Sequence, residues 1–107
     1  MTYLDIIAGM ERIGLPCSYH KWSQAPSLPY TLITHTESDD LMADNHNYFD
    51  VGNYRLELYT ARKDPTTERK VENWLKAQRI PYRKSSPGFI GSENMFLTAY
   101  DIQLIGG

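Results

Sequence analysis

A strand that runs straight into a helix start constrains this chain more than any other feature. In Tyr54-Arg55-Leu56-Glu57-Leu58-Tyr59-Thr60-Ala61 the residues alternate with period two, and Arg62-Lys63-Asp64-Pro65 follows at once. The alternation puts Tyr54, Leu56, Leu58 and Thr60 on one sheet face, while Asp64 is placed to cap a helix whose first residue is Pro65. From Asp64 to about Arg79, Val71, Trp74, Leu75 and Gln78 fall on one helical face. Glu68, Arg69, Lys70, Glu72, Asn73 and Lys76 are assigned to the others, with Glu72 and Lys76 spaced as an i, i+4 ion pair.

The rest of the chain extends this α+β pattern. Thr2, with Asp5 three residues on, opens a helix with apolar positions at Tyr3, Ile6, Ile7, Met10 and Ile13, and Gly14 stops it. Gly9 is a mild cost in its interior. Cys17 to Trp22 and Tyr30 to Thr36 read as two strands and are expected to pair antiparallel across the Pro26 and Pro29 loop. Glu37 to Asn47 reads as an extended acidic loop, and Tyr48 to Val51 as a short strand turning at Gly52-Asn53 into the long one. After the second helix, Ile80 to Lys84 reads as a short strand made edge-like by Pro81, and Ser85 to Ser92 as a mobile loop. Met95 to about Ile105 is the last strand, with Phe96, Thr98, Tyr100, Ile102 and Leu104 on one side. The expected fold is a single α+β domain over 1–107, with two helices on a mixed, mostly antiparallel sheet in the order α-β-β-β-β-α-β-β.

At 107 residues the chain supports one hydrophobic core, and a mean hydropathy of -0.50 with only short apolar runs argues against a membrane span. Met1 to Asp5 lacks the basic region and cleavage site of a secretory signal. The lone Cys17 excludes an intramolecular disulfide and a multi-cysteine zinc site. A net charge of -2 gives no general reason to bind polyanions, so sequence-specific nucleic acid is not an expected partner.

No constellation of reactive groups survives a geometric test, and no catalytic, cofactor or metal residues are assigned. Cys17 and His20, three apart on a strand, point to opposite faces and form no dyad. Asp39, Asp40, Asp44 and His46 offer cation ligands but match no calcium loop, and a solvated acidic loop is the simpler reading. Ser85 to Gly91 lacks the Gly-Lys-Ser/Thr ending and the following helix of a phosphate loop. Arg62, Lys63, Arg69, Lys70, Arg79, Arg83 and Lys84 are interrupted by Asp64, Glu68 and Glu72 and read as a mixed-charge surface.

The combination of Gly14-Leu15-Pro16, Leu28-Pro29-Tyr30, Met42-Ala43-Asp44-Asn45, Tyr54 to Thr60, Lys63-Asp64-Pro65, Glu68 to Leu75 and Ile80-Pro81-Tyr82 resembles the small tail-completion proteins of phages and prophages of Gram-positive bacteria. These are similar to the tail terminators, or tail-to-head joining proteins, of long-tailed phages. The resemblance implies a structural protein without catalysis or cofactor. It is made in the bacterial cytoplasm, sits at the head-proximal end of the virion tail, and caps the tail tube as a homo-oligomeric ring, typically of six copies. Its implied partners are itself, the tail tube protein and the head-tail connector, and the free protein can be monomeric. A ring needs unlike patches that meet on neighbouring copies. Asp39, Asp40 and Asp44 are the candidate acidic patch, and Arg62, Lys63, Arg83 and Lys84 the basic one. Two alternatives are a head-to-tail connector or stopper, and a small nucleic-acid-binding regulator in which Tyr19, Tyr59 or Tyr82 stacks on bases.

Overall fold

The computed structural model describes residues 1–38 and 51–105. Among these, helix α1 (Tyr3–Arg12) leads to strands β1 (Cys17–Tyr19), β2 (Tyr30–Ser38) and β3 (Val51–Thr60). Helix α2 (Pro65–Ala77) and strands β4 (Tyr82–Ile90) and β5 (Met95–Ile105) follow. The strands form one sheet in the order β1-β2-β3-β5-β4, antiparallel throughout except for β1 against β2. The protein is thus an α+β fold with a mixed, mostly antiparallel sheet. Since β3 and β4 both run antiparallel to the β5 between them, α2 is the crossover of a split β-α-β unit.

The helix starts follow from their caps. Thr2 Oγ1 accepts from the Leu4 N–H at 3.2 Å and Asp5 Oδ2 accepts from the Thr2 N–H at 2.8 Å, the reciprocal satisfaction of a capping box. At α2, Asp64 accepts from the Thr67 N–H at 3.2 Å and from its hydroxyl at 2.7 Å, and Pro65 opens the helix. Both helices end in a left-handed residue with a six-to-one bond, Leu15 N–H to Met10 O at 2.9 Å and Ile80 N–H to Leu75 O at 2.9 Å. Gly14 takes that conformation freely at φ +90, whereas α2 imposes it on Arg79 at φ 59.

Pairing partners share a face, so Leu56, Leu58, Tyr100 and Ile102 join Ile33 and Cys17 beneath the helices. Ile6 and Met10 of α1 and Val71 and Leu75 of α2 close that core, all fully buried. Gly9 has a structural use beyond its propensity cost. A methyl group there would overlap the Trp74 indole, so the glycine lets α2 lay its ring against α1.

Three local expectations are corrected. β1 and β2 pair parallel, with residues 20–29 carrying the chain back so that β2 starts beside the start of β1. Thr31 bonds Pro16 O through both its N–H and its hydroxyl at 2.8 Å, and Trp22 Nε1 donates to Thr31 O at 3.2 Å, which fixes that return. Gly52-Asn53 is no turn. Both residues lie inside β3 with partners on each side, Ser38 and Glu37 in β2 and Leu104 and Gln103 in β5, and two ladders outweigh the local turn preference. Of the strand expected at Tyr48 to Val51, only Val51 is among the described residues, and it begins β3. Ser85 to Ser92 is not a loop either. β4 continues to Ile90 through a bulge between Ser85 and Gly88, where the extra residue absorbs Pro87 and Gly88 takes φ +100.

Candidate functional site

Two groups of polar side chains stand out, one on each face of the sheet. Under α2, Glu68 has a side chain only 4% exposed and receives Lys63 Nζ on Oε2 at 2.9 Å and Lys84 Nζ on Oε1 at 2.8 Å. Lys84 also reaches Glu72 Oε2 at 2.8 Å, and the Tyr100 hydroxyl donates to the same oxygen at 2.9 Å. Two carboxylates and two ammonium groups therefore balance, tying the segment before α2, the helix itself and edge strand β4 to β5.

Burial pushes the Glu68 carboxyl up, but the hydrogen bonds and charges of Lys84 and Lys63 outweigh it and hold the group below the usual carboxylate range. Lys84 is raised by its bonds to Glu68 and Glu72. The Tyr100 hydroxyl is driven far above its ordinary value by burial first and by Glu72 second. Each group is held in the form it has at neutral pH, the opposite of what a general acid or base needs. Cys17, 5% exposed, is pushed up to about 11 by burial, so it packs as a thiol in the core. Among the described residues no three His, Cys, Asp or Glu side chains converge to hold a metal ion.

The second group lies on the face that no described helix covers. Register places Thr34, Arg55, Asp101 and Arg83 in one row across β2, β3, β5 and β4. Arg55 Nε donates to Asp101 Oδ1 at 3.0 Å, and Arg83, on the other side of Asp101, forms no ion pair with a described residue. Asn53 and Gln103 form the next row. A groove of about 780 Å³ opens at this end of the sheet, lined by Arg55, Arg83, Asp101, Gln103, Pro81 and Tyr82 among others. Toward the other end the same face turns apolar, with Tyr30, Tyr59 and Leu97 in register, and Trp22 against Tyr30 at 6.0 Å.

The structure separates the basic residues singled out from sequence. Lys63 and Lys84 meet at Glu68, Arg83 lies on the opposite face, and Arg62 is exposed beside them in the segment before α2. Asp39, Asp40, Asp44 and His46 lie outside the described residues. The tyrosines proposed as a stacking platform do not share a face. Tyr19 stacks on Tyr3 at 4.1 Å and Tyr82 sits edge-on to Tyr100 at 5.5 Å, both on the helix side, whereas Tyr59 stacks on Tyr30 at 5.2 Å on the open side.

Sequence reasoning missed Glu68, which it assigned to a solvated face. The spacing 68, 71, 75 already put it on the stripe of Val71 and Leu75. Glu72 likewise engages Lys84 and Tyr100 rather than the Lys76 one turn away. No protein-family model matches this chain, and no curated protein matches it significantly.

Proposed function

We propose that this chain is a virion assembly protein of the tail-completion type, which caps the tail tube of a long-tailed phage or prophage and joins tail to head as a homo-oligomeric ring. The reading starts from the sequence resemblance and is supported by one observation above the others, the sheet face that no described helix covers. That face carries Arg83, which forms no ion pair with a described residue, and an aromatic end, with a groove opening at its edge, a mixture suited to protein contacts. The ionisable cluster on the other face supports the same reading, because Lys63, Lys84 and Tyr100 are engaged by Glu68 and Glu72, a brace that ties α2 to β4 and β5.

Deleting the reading frame from a phage or prophage that encodes it tests the proposal. Negative-stain images of the lysate are expected to show filled heads beside unjoined or overlong tails, with joined virions restored by expression in trans. Joined virions of normal tail length in the deletion strain would refute the reading.

A further inference from the structure

The β3–β5 ladder gives the molecule two unlike ends. At one end the hairpin between β4 and β5 carries Phe89, 54% exposed although it packs on Phe96 at 5.2 Å, and the acidic Glu93 in the turn. Glu93 forms no ion pair with a described residue, and its turn is held by the bond from its own N–H to Ile90 O at 3.1 Å. At the other end lies the groove, where Pro81, Tyr82 and Ile102 supply apolar lining and Arg83 a cation with no ion pair to a described residue. Strand β5 runs from Met95 at the tip to Gln103 at the groove, a span of roughly 27 Å at the usual rise of a strand. One copy therefore cannot fill its own groove with its own hairpin.

We propose that the β4–β5 hairpin tip of one copy docks into the groove of the next, with Phe89 against Pro81 and Tyr82 and Glu93 paired with Arg83. The inference deepens the assembly reading above and rests on it for the closure of such contacts into a ring. Two features select a second copy as the occupant. An exposed aromatic beside an acid matches a groove in which Pro81 and Tyr82 form an apolar wall beside Arg83, a cation that forms no ion pair with a described residue, in both character and sign. The two patches are also different surfaces of one chain, so each copy offers both halves, and such heterologous contacts build rings when the rotation between copies closes.

Edge-to-edge strand pairing is a poor competitor for the same role. β4 is the long free edge, and it is blunted by Pro87, by the bulge beside it and by Lys84, which turns its charge inward to Glu68. β1 is the other edge and spans only Cys17–Tyr19.

Sedimentation velocity over a concentration series tests the contact on the full chain. Wild type is expected to self-associate, and Glu93→Arg, Arg83→Glu and Phe89→Ser each to weaken association by about tenfold or more. The double variant Glu93→Arg/Arg83→Glu is expected to recover most of that loss, which misfolding would not produce, and because the two single reversals shift net charge in opposite directions, a net-charge effect would not weaken association in both. These side chains are exposed, so unchanged melting temperatures accompany the expected result. As a second readout, Ser92→Cys combined with Gln103→Cys is expected to give a ladder of disulfide-linked multimers under mild oxidation, while either cysteine alone gives none. Monomer at every concentration, association indifferent to the charge reversals, or cross-linking of like positions only would each overturn the contact. If the deletion strain still fails to join tails while the charge reversals change nothing, this contact falls and the assembly reading stands. If the deletion strain makes normal virions, that reading falls whatever the sedimentation shows.

Discussion

The two faces of this sheet are built by the same strands one residue out of step, yet they reach low exposure by different means. On the covered face Ile33, Leu56, Leu58 and Tyr100 are fully buried because two helices lie over them. On the open face Tyr30 and Ala99 are nearly as buried without any described helix above them. There the cover comes from neighbours in the sheet, such as Tyr59 stacked on Tyr30 and bonded through its hydroxyl to Glu57 at 3.0 Å. A face that shields itself side chain by side chain keeps a surface available for a partner, whereas a face sealed by helices does not.

The largest expected effect tests that contrast directly. Leu56→Ala should cost about 2–5 kcal/mol, because a cavity opens where helix and sheet cannot collapse onto it. Leu32→Ala, at a half-buried position on the open face and in register with Glu57, should cost under about 1 kcal/mol. Urea denaturation of the two variants measures both. Equal losses would mean that the open face is packed as tightly as the other.

The next effect concerns Glu68, the most deeply buried carboxylate among the described residues of the covered face. Removing one partner of a buried ion pair costs about 3–5 kcal/mol when the remaining charge stays buried, and Glu68→Ala should fall somewhat short of that. Lys63 and Lys84 are 52% and 36% exposed and can turn to water. The pH dependence has a definite sign. Because the folded Glu68 carboxyl is held below its unfolded value of roughly 4.3, its contribution is complete above that pH and is lost as pH falls through the lower folded value. Asp64, lowered by its bonds to Thr67, acts in the same direction. The stability gap between wild type and Glu68→Gln, followed by thermal melts, should therefore be constant near neutrality and shrink below about pH 4. A gap that does not change on acidification would show that Glu68 is not ionised in the fold.

Much of the covered face was legible in the sequence and much of the open one was not. The period of two from Tyr54 to Thr60 and the caps at Thr2 and Asp64 are local signals, and the structure follows them. The parallel β1–β2 pair, the continuous strand through Gly52-Asn53 and the bulge at Pro87 depend on partners distant in sequence, which local propensity does not report. The row Thr34, Arg55, Asp101 and Arg83 was unreadable for the same reason, since register between four strands must be known before those residues become neighbours. Glu68 is a different failure. Its position on the apolar stripe is visible in the spacing 68, 71, 75, while its charge alone argues for a solvated face.

The smallest effect belongs to the open face and sharpens the comparison most. Arg55 and Asp101 meet at 3.0 Å with side chains 45% and 41% exposed. The bond to Asp101 raises the Arg55 guanidinium, which is charged at any accessible pH. An exposed pair of this kind is worth about 0–1 kcal/mol, and Asp101→Asn should lose no more than that at low ionic strength. At about 1 M salt, where the screening length falls to roughly 3 Å, the difference from wild type should vanish, while the Glu68→Ala deficit should largely persist. Both are read from urea midpoints at low protein concentration. If the Asp101→Asn loss instead survives high salt and grows with protein concentration, the pair is shielded from water in solution. The shielding body would then be another copy of the chain, seated beside the groove that Arg83 lines.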